Sequence, residues 1–297
     1  MPIFTARSET MRVADNHVSS LLDLYRQELA PLHGEREALA MAAFVFQERL
    51  GWHVGDIQQR RSEQLSESEL LKVYMPLKRL RSGEPLQYVL GTVRFHGLDL
   101  LCDRRALIPR PETEELVEEI IKAQRASPRR VVDIGTGSGC IALALKSAYP
   151  GAEVVGLDAS EEALALARTN SERTALEMQW RHADMLDRSL WPALGSFDLI
   201  VSNPPYVPND DARDMAATVL QHEPHAALFV PDTDPLQFYR AIAEFGLRAL
   251  EDHGQLWFEV HHQWGKEVPA LLETLGYRSA TAVVDISGNT RFVHAVR

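Results

Sequence analysis

Asn203-Pro204-Pro205-Tyr206 follows the apolar run Phe197-Asp198-Leu199-Ile200-Val201-Ser202, and these residue types suit one kind of chemistry. The Asn203 side-chain oxygen and the Pro204 backbone carbonyl are acceptors for a planar NH2 group. Consecutive prolines fix φ and restrict the residue before each, so the corner is stiff. Tyr206 adds a flat ring on which such a group can stack. An amide nitrogen is a poor nucleophile because its lone pair is delocalised into the carbonyl. Hydrogen bonds from its NH2 to fixed acceptors orient it and stabilise the positive charge that develops on attack. In-line displacement at a sulfonium carbon needs that nitrogen held about 3 Å away with its lone pair aligned. No prior general base is required, since the protonated product nitrogen loses its proton to water. The bland alternative is a turn that merely ends a strand.

The donor side is signalled upstream, in Asp133-Ile134-Gly135-Thr136-Gly137-Ser138-Gly139. Glycines allow a tight turn and close backbone approach to a nucleotide-like ligand, and the helix that follows offers free amides. A dinucleotide fingerprint reads Gly-x-Gly-x-x-Gly, the extra residue making room for a pyrophosphate. Gly135 to Gly139 read Gly-x-Gly-x-Gly, which fits S-adenosylmethionine, a molecule without phosphate. Asp158 ends the apolar run at 154–157, nineteen residues after Gly139. A carboxylate there can accept from both ribose hydroxyls, or cap the next helix. Asp184 ends a third run where an adenine amino group needs an acceptor. Met185 beside it lies on the adenine ring or in the core. Together the motifs point to methyl transfer from S-adenosylmethionine to an amide or exocyclic amine.

Such motifs need a scaffold, and the pattern from Arg129 onward supplies one. Residues 131–134, 153–157, 178–183 and 197–202 read as strands, as do 255–260, 280–285 and 291–296. Helical stretches lie between the early ones, at 141–147 and at 161–170 with Ser160 as N-cap. This alternation predicts an α/β fold, a seven-stranded and mostly parallel sheet covered by helices on both faces.

Up to about residue 90 the pattern is helical. Leu21, Leu22, Tyr25 and Leu29 recur at helical spacing until Pro31 ends the run. Residues 35–50 are rich in Ala and Leu and stop at Gly51. Ser66-Glu67-Ser68-Glu69 reads as a capping box. Leu70, Tyr74, Leu77 and Leu80 then line one face before Gly83 closes the helix. Between 85 and 110, short apolar pieces at 88–90, 94–95 and 98–102 are punctuated by Gly91 and Gly97, which predicts a hairpin. Ile108-Pro109-Arg110-Pro111-Glu112-Thr113-Glu114 is a proline-stiffened loop before a helix from about Glu114. The expected division is a helical domain at 1–84, a hairpin linker at 85–110 and an α/β domain at 111–297.

Composition narrows the function classes. With 297 residues, 45% hydrophobic and 25% charged, the chain is ordinary for a globular protein. No apolar stretch approaches the ~20 residues of a membrane span. Scattered charges from Met1 to Asp15, with Glu9 among them, argue against a secretory leader or a transit peptide. A net charge of −11 disfavours a stable nucleic-acid partner, because phosphate binding relies on clustered Lys and Arg. A protein partner, a monomeric state and a cytoplasmic setting are expected instead. Cys102 and Cys140 form no disulfide framework, and a reducing compartment fits them. His222-Glu223-Pro224-His225 and His261-His262 lack zinc-like spacing to further ligands, so no metal is expected.

At these residues the chain resembles the class I S-adenosylmethionine-dependent methyltransferases. More narrowly, it resembles the HemK/PrmC family of release-factor glutamine N5-methyltransferases. The resemblance spans almost the whole chain. It is carried by residues 83–91, the proline loop 107–114, the glycine turn, Asn203 to Tyr206, and His222-Glu223-Pro224. It implies a helical N-terminal domain that grips the release factor, a hairpin linker and a Rossmann-like catalytic domain. The implied substrate is the glutamine of the Gly-Gly-Gln motif in peptide chain release factors. The implied cofactor residues are Gly135, Thr136, Gly137, Ser138, Gly139, Asp158, Asp184, Met185 and Asn203. Asn203, Pro204, Pro205 and Tyr206 are implied to bind the glutamine, with Asn203, Pro204 and Tyr206 serving catalysis and Phe95 on the substrate side. Two departures are His96, where the family commonly has an aromatic after Phe95, and Met185, where some members have an aromatic. A sibling that methylates ribosomal protein L3 usually reads Pro-Arg-Ser-Pro where this chain has Pro109-Arg110-Pro111-Glu112. Amino-methylation of a nucleic-acid base is the other alternative, and no basic target-recognition segment is visible for it.

Overall fold

The computed structural model describes residues 15–297; the leader reading, with Glu9, falls on residues 1–14, outside the described residues. The chain divides into two compact units, Met1–Leu90 and Gly91–Arg297.

The first unit contains α1 (Val18–His33), α2 (Glu35–Leu50), α3 (Val54–Gln59), α4 (Glu67–Arg81) and α5 (Leu86–Leu90). Val18, Leu21, Tyr25 and Leu29 of α1 are buried against Ala38, Ala42, Val45 and Phe46 of α2 and Val73, Leu77 and Leu80 of α4. The Tyr25 hydroxyl donates to the Val73 carbonyl at 2.7 Å and ties α1 to α4 inside this core. Helix α1 runs through Pro31 to His33 rather than ending there. A proline in the last turn removes only one ladder donor, and the stop comes at Gly34 with φ of 81°. The capping box holds, since Glu69 N–H donates to Ser66 Oγ and Ser66 N–H donates to Glu69 Oε2. Residues 88–90, expected as a hairpin piece, instead finish α5. Its orphan carbonyls are met by two arginines: Arg49 donates to Val89 and Leu90, and Arg79 to Tyr88 and Val89. Glu84 grips Arg79 through both carboxylate oxygens at 2.7 and 2.8 Å, so the 83–91 motif works as a clamp on α5.

The second unit opens with the hairpin β1 (Thr92–Phe95) and β2 (Leu98–Leu101). Its two-residue turn puts both His96 (φ 46°) and Gly97 (φ 81°) in the left-handed region. Such a turn matches the twist of the flanking strands. The departure at His96 is thus a turn position. Then follow α6 (Pro111–Ala123), β3 (Arg130–Ile134), α7 (Cys140–Ala148), β4 (Glu153–Asp158), α8 (Glu161–Thr174), β5 (Gln179–His182) and β6 (Phe197–Ser202). The short pair β7 (Val207–Pro208) and β8 (Phe229–Val230) flanks α9 (Ala217–His222). The chain ends with α10 (Gln237–Ala249), β9 (Leu250–Glu259), α11 (Glu267–Leu275), β10 (Ser279–Val284) and β11 (Thr290–Val296). Helix α6 begins at Pro111, three residues before the expected start, because proline suits the first helical position.

Seven strands form one sheet in the order β10-β11-β9-β6-β3-β4-β5. The β10–β11 and β11–β9 pairs are antiparallel, and the other four pairs are parallel. Alternate residues face opposite layers. Val131, Val154, Leu199 and Val201 pack toward α6 and α7, while Val132, Val155, Ile200 and Leu256 pack toward α10 and α11. From central β3 the chain goes to β4 on one side and later to β6 on the other. Strand order therefore reverses between β3 and β6, and in open α/β sheets ligands sit outside the carboxyl ends of strands at such a reversal.

Candidate active site

Both motifs emerge at that switch point. Ile134 of β3 and Ser202 of β6 are paired in register, and the Ser202 hydroxyl donates to the Ile134 carbonyl at 2.6 Å. The next residues, Gly135 and Asn203, therefore leave the sheet side by side. A Cβ on Gly135 would stand 3.9 Å from the Asn203 carbonyl oxygen.

The glycine turn is braced from beneath and from the side. Gly135, Gly137 and Gly139 all have positive φ, at 73°, 56° and 82°. Thr136 Oγ1 donates to Asp133 Oδ2 at 2.6 Å. Burial pushes the Asp133 carboxyl up to about 7, against the hydrogen bond from Thr136. Gly137 N–H donates to Asp158 Oδ2 and Ser160 N–H to Asp158 Oδ1, each at 2.8 Å. Asp158 thus braces both the glycine turn and the start of α8. Ser160 itself caps α8, accepting from Ala163 N–H. Burial raises the Asp158 pKa above the ordinary carboxylate value, the backbone donors opposing it. The Ala159 N–H acts on the same carboxylate, whose roughly four lone-pair sites are then not all taken.

A cavity of about 300 Å³ lies over this turn, at the small end of ligand sites. Its lining includes Gly135, Thr136, Gly137 and Ser138 of the glycine turn, Asp158, Asp184, Met185, Asn203, Pro204 and Pro205, with residues 105–109 leading into the proline loop. Gly139, expected at the cofactor, does not line it and packs toward Trp180, Ala167 and Leu143. Asp184 is exposed, and Met185 is both buried in the core and part of the lining. A second cavity, of about 450 Å³, is lined by Arg110, Asn203, Tyr206, Asp211, Glu259 and His261 among others. Leu107 and Asn203 line both, so the two spaces meet at the Asn203 corner. Tyr206 lies against His261 with ring centroids 5.8 Å apart, and its carbonyl accepts from Trp264 Nε1.

Phe95 is not brought here. Its side chain is buried with Leu100, Leu116 and Val117 and lines neither cavity, because a residue facing inward on β1 points into the core. Both cysteines are buried, and burial pushes each thiol up to about 12, so neither is a nucleophile.

Three buried polar residues join the site that motif reading left without a role. Glu223 accepts from Ile108 N–H at 3.1 Å and from Arg110 Nη2 at 2.5 Å, pinning the proline loop. Its His-Glu-Pro setting carries part of the family resemblance and a metal reading that spacing dismisses, but no role for Glu223 itself. Glu259, the last residue of β9, accepts from Thr113 Oγ1 at 2.7 Å. Thr113, in the first turn of α6, in turn faces Asn203 Nδ2 at 3.4 Å. The available signal was a carboxylate ending an apolar strand, Leu256-Trp257-Phe258-Glu259, on the same sheet edge as Ser202.

A stiff corner with amide acceptors, set between one cavity with a glycine-rich wall and another with aromatic and acidic walls, can hold a planar NH2 beside a second small molecule. Comparison with known proteins agrees with that geometry. Residues 20–91 match the family model of the PrmC N-terminal domain, and residues 112–229 that of the methyltransferase small domain. The release factor glutamine methyltransferase of Bacteroides thetaiotaomicron is 40% identical over 272 residues, covering 92% of this chain and 97% of that protein. This chain belongs to the release factor glutamine methyltransferase family. The Flavobacterium psychrophilum member is 42% identical over 233 residues, covering 77% of this chain and 81% of its own. A crystal structure of a methyltransferase from Pyrococcus furiosus shares the fold, with a TM-score of 0.50 at 17% identity over 67% of this chain and 89% of that one. Among the described residues no helix is long and apolar enough to cross a membrane.

Proposed function

We propose that this protein transfers a methyl group from S-adenosylmethionine to the N5 amide of the glutamine in the Gly-Gly-Gln motif of peptide chain release factors. The observation that carries this reading is the meeting of two cavities at Asn203, one walled by the glycine turn and Asp158, the other by Tyr206 and Glu259. When bound, S-adenosylmethionine supplies an electrophilic methyl on a sulfonium. Gly135 to Ser138 lie along the bound molecule, with Gly139 closing the turn behind them, and the remaining acceptor capacity of Asp158 takes the ribose. Asp184 and Met185 meet the adenine. On the other side, Asn203 Oδ1 and the Pro204 carbonyl accept the two amide hydrogens of glutamine. That grip turns the nitrogen lone pair toward the donor and offsets positive charge growing on nitrogen. Tyr206, steadied by His261 and Trp264, flanks the flat carboxamide.

The helical unit Met1–Leu90 is assigned to gripping the release factor, and the net charge of −11 agrees with a protein rather than a nucleic-acid partner. Action as a monomer in the cytoplasm completes the reading. The test offers methyl-labelled S-adenosylmethionine with a release factor, with its Gln→Ala variant, and with ribosomal protein L3. Label on the native factor alone is expected. Equal label on the Gln→Ala variant would refute the glutamine assignment, and label on L3 alone would move the protein to the sibling activity.

A further inference from the structure

We propose that Thr113 and Glu259 form a hydrogen-bond relay that fixes which way round the Asn203 carboxamide faces, making Thr113 a positioning residue for methyl transfer. The inference rests on the reading that Asn203 Oδ1 receives the substrate amide. An asparagine carboxamide is nearly symmetric in shape, and only its surroundings decide which end is oxygen and which is NH2. Turned one way, Asn203 offers the glutamine NH2 an acceptor. Turned the other way, it offers a second NH2 and repels the substrate.

The surroundings are set by three groups, Glu259 at the end of β9, Thr113 in α6 and Asn203 just past β6, and the Asn203 side chain also hydrogen-bonds to the Glu259 carboxylate directly. Glu259, ending β9, is buried and accepts from the Thr113 hydroxyl at 2.7 Å. An ionised carboxylate has no proton to give, so Thr113 must be the donor in that bond. A hydroxyl has one proton, so Thr113 Oγ1 is left as an acceptor only. It faces Asn203 Nδ2 at 3.4 Å, a long bond but one with a single allowed polarity. The reversed carboxamide would set its oxygen against the Thr113 and Glu259 oxygens, acceptor against acceptor. No described residue donates to Asn203 Oδ1, which leaves that oxygen for a ligand. Glu259 lies 146 residues from Thr113, and Thr113 lies 90 from Asn203, so the relay exists only once α6, β6 and β9 are assembled.

The closing experiment compares Thr113→Val with Thr113→Ser. Valine keeps the shape and loses the hydroxyl, whereas serine keeps the hydroxyl. Measured quantities are kcat and KM for the release factor and, because Thr113 also lines the first cavity, Kd for S-adenosylhomocysteine by calorimetry. Thr113→Val is expected to lower kcat at least tenfold with Kd changed less than about threefold, which corresponds to roughly 1.4 kcal/mol per decade of rate. Thr113→Ser is expected to stay within threefold of wild type on every measure. Thr113→Val keeping its kcat, or Thr113→Ser falling as far as valine, overturns the relay while leaving the glutamine reading intact. Wild type that labels the Gln→Ala factor as well as the native one overturns that reading, and the relay with it.

Discussion

Glu259 is a carboxyl group with little water around it, and burial pushes it up to about 7. The groups that act on it come from four elements or loops. Thr113 and Asn203 hydrogen-bond to its charged form, Arg291 attracts it, and Glu112 of α6 opposes ionisation, while the Glu259 charge in turn raises the Tyr206 hydroxyl. The Tyr239 hydroxyl donates to its backbone carbonyl. Below about pH 7 the carboxyl gains a proton, can donate to Thr113, and lets Thr113 donate to Asn203. That reverses the polarity of the relay and turns the wrong end of Asn203 to the substrate. At saturating S-adenosylmethionine, kcat is therefore expected to rise with pH through a midpoint near 7. Glu259→Gln keeps an acceptor oxygen for Thr113 but cannot titrate, so its profile is expected to lose that acid limb. A limb persisting unchanged in Glu259→Gln would remove Glu259 from the account. Saturation matters because Asp133, beneath the glycine turn, also has a carboxyl raised to about 7 and would act through cofactor affinity.

At the scale of elements, the site depends on a loop held by one ion pair. The proline loop supplies Leu107 to both cavities and Arg110 to the second, yet residues 103–110 have no regular structure of their own. Glu223, beyond α9, holds them through Ile108 and Arg110. The two partners are unequal: the Glu223 side chain is 1% exposed and that of Arg110 is 36% exposed. Removing the arginine strands a buried carboxylate, at a cost of about 3 kcal/mol. Removing the negative charge leaves an arginine that already reaches water, with Gln still able to accept from Ile108, at about 1 kcal/mol. Arg110→Met is thus expected to lower the urea midpoint clearly more than Glu223→Gln. Equal loss in the two variants would mean the pair is not the clamp described. A packing device supports the turn nearby: a Cβ on Gly156 would come within 2.3 Å of the Trp180 ring, so β4 needs glycine where β5 lays its tryptophan.

For the whole molecule, what was legible in the sequence followed from range. The seven sheet strands, the glycine turn and Asn203 to Tyr206 rest on local patterns of alternation and turn chemistry, and the sheet places the two motifs in neighbouring positions. Strand β9 starts at Leu250 rather than Gln255 because the polar stretch 251–254 bulges out, with His253 at φ 64°, and hides the periodicity. Helix α3 is short, and its cap is the unusual pair His53 and Asp56. The partnerships of Glu223 with Arg110 and of Glu259 with Thr113 span 113 and 146 residues, and no local spacing encodes them. Phe95 is placed on the substrate side by the resemblance alone; alternation along a four-residue strand does not say which face is the core, and its side chain lies on the core face. The helical unit and the α/β unit each bury their own core, which agrees with separate tasks of recognition and chemistry.

The measurement that bears most directly on the central claim is Asn203→Ala, assayed twice on the same preparation. Calorimetry with S-adenosylhomocysteine is expected to give a Kd within about threefold of wild type, since the glycine turn and Asp158 are untouched. Label transfer to a release factor at saturating S-adenosylmethionine is expected to fall by at least about a hundredfold, the usual loss for a transition-state hydrogen-bond partner. Lost ligand affinity with transfer preserved at saturation would contradict the account, because Asn203 would then serve the donor cavity and not the amide.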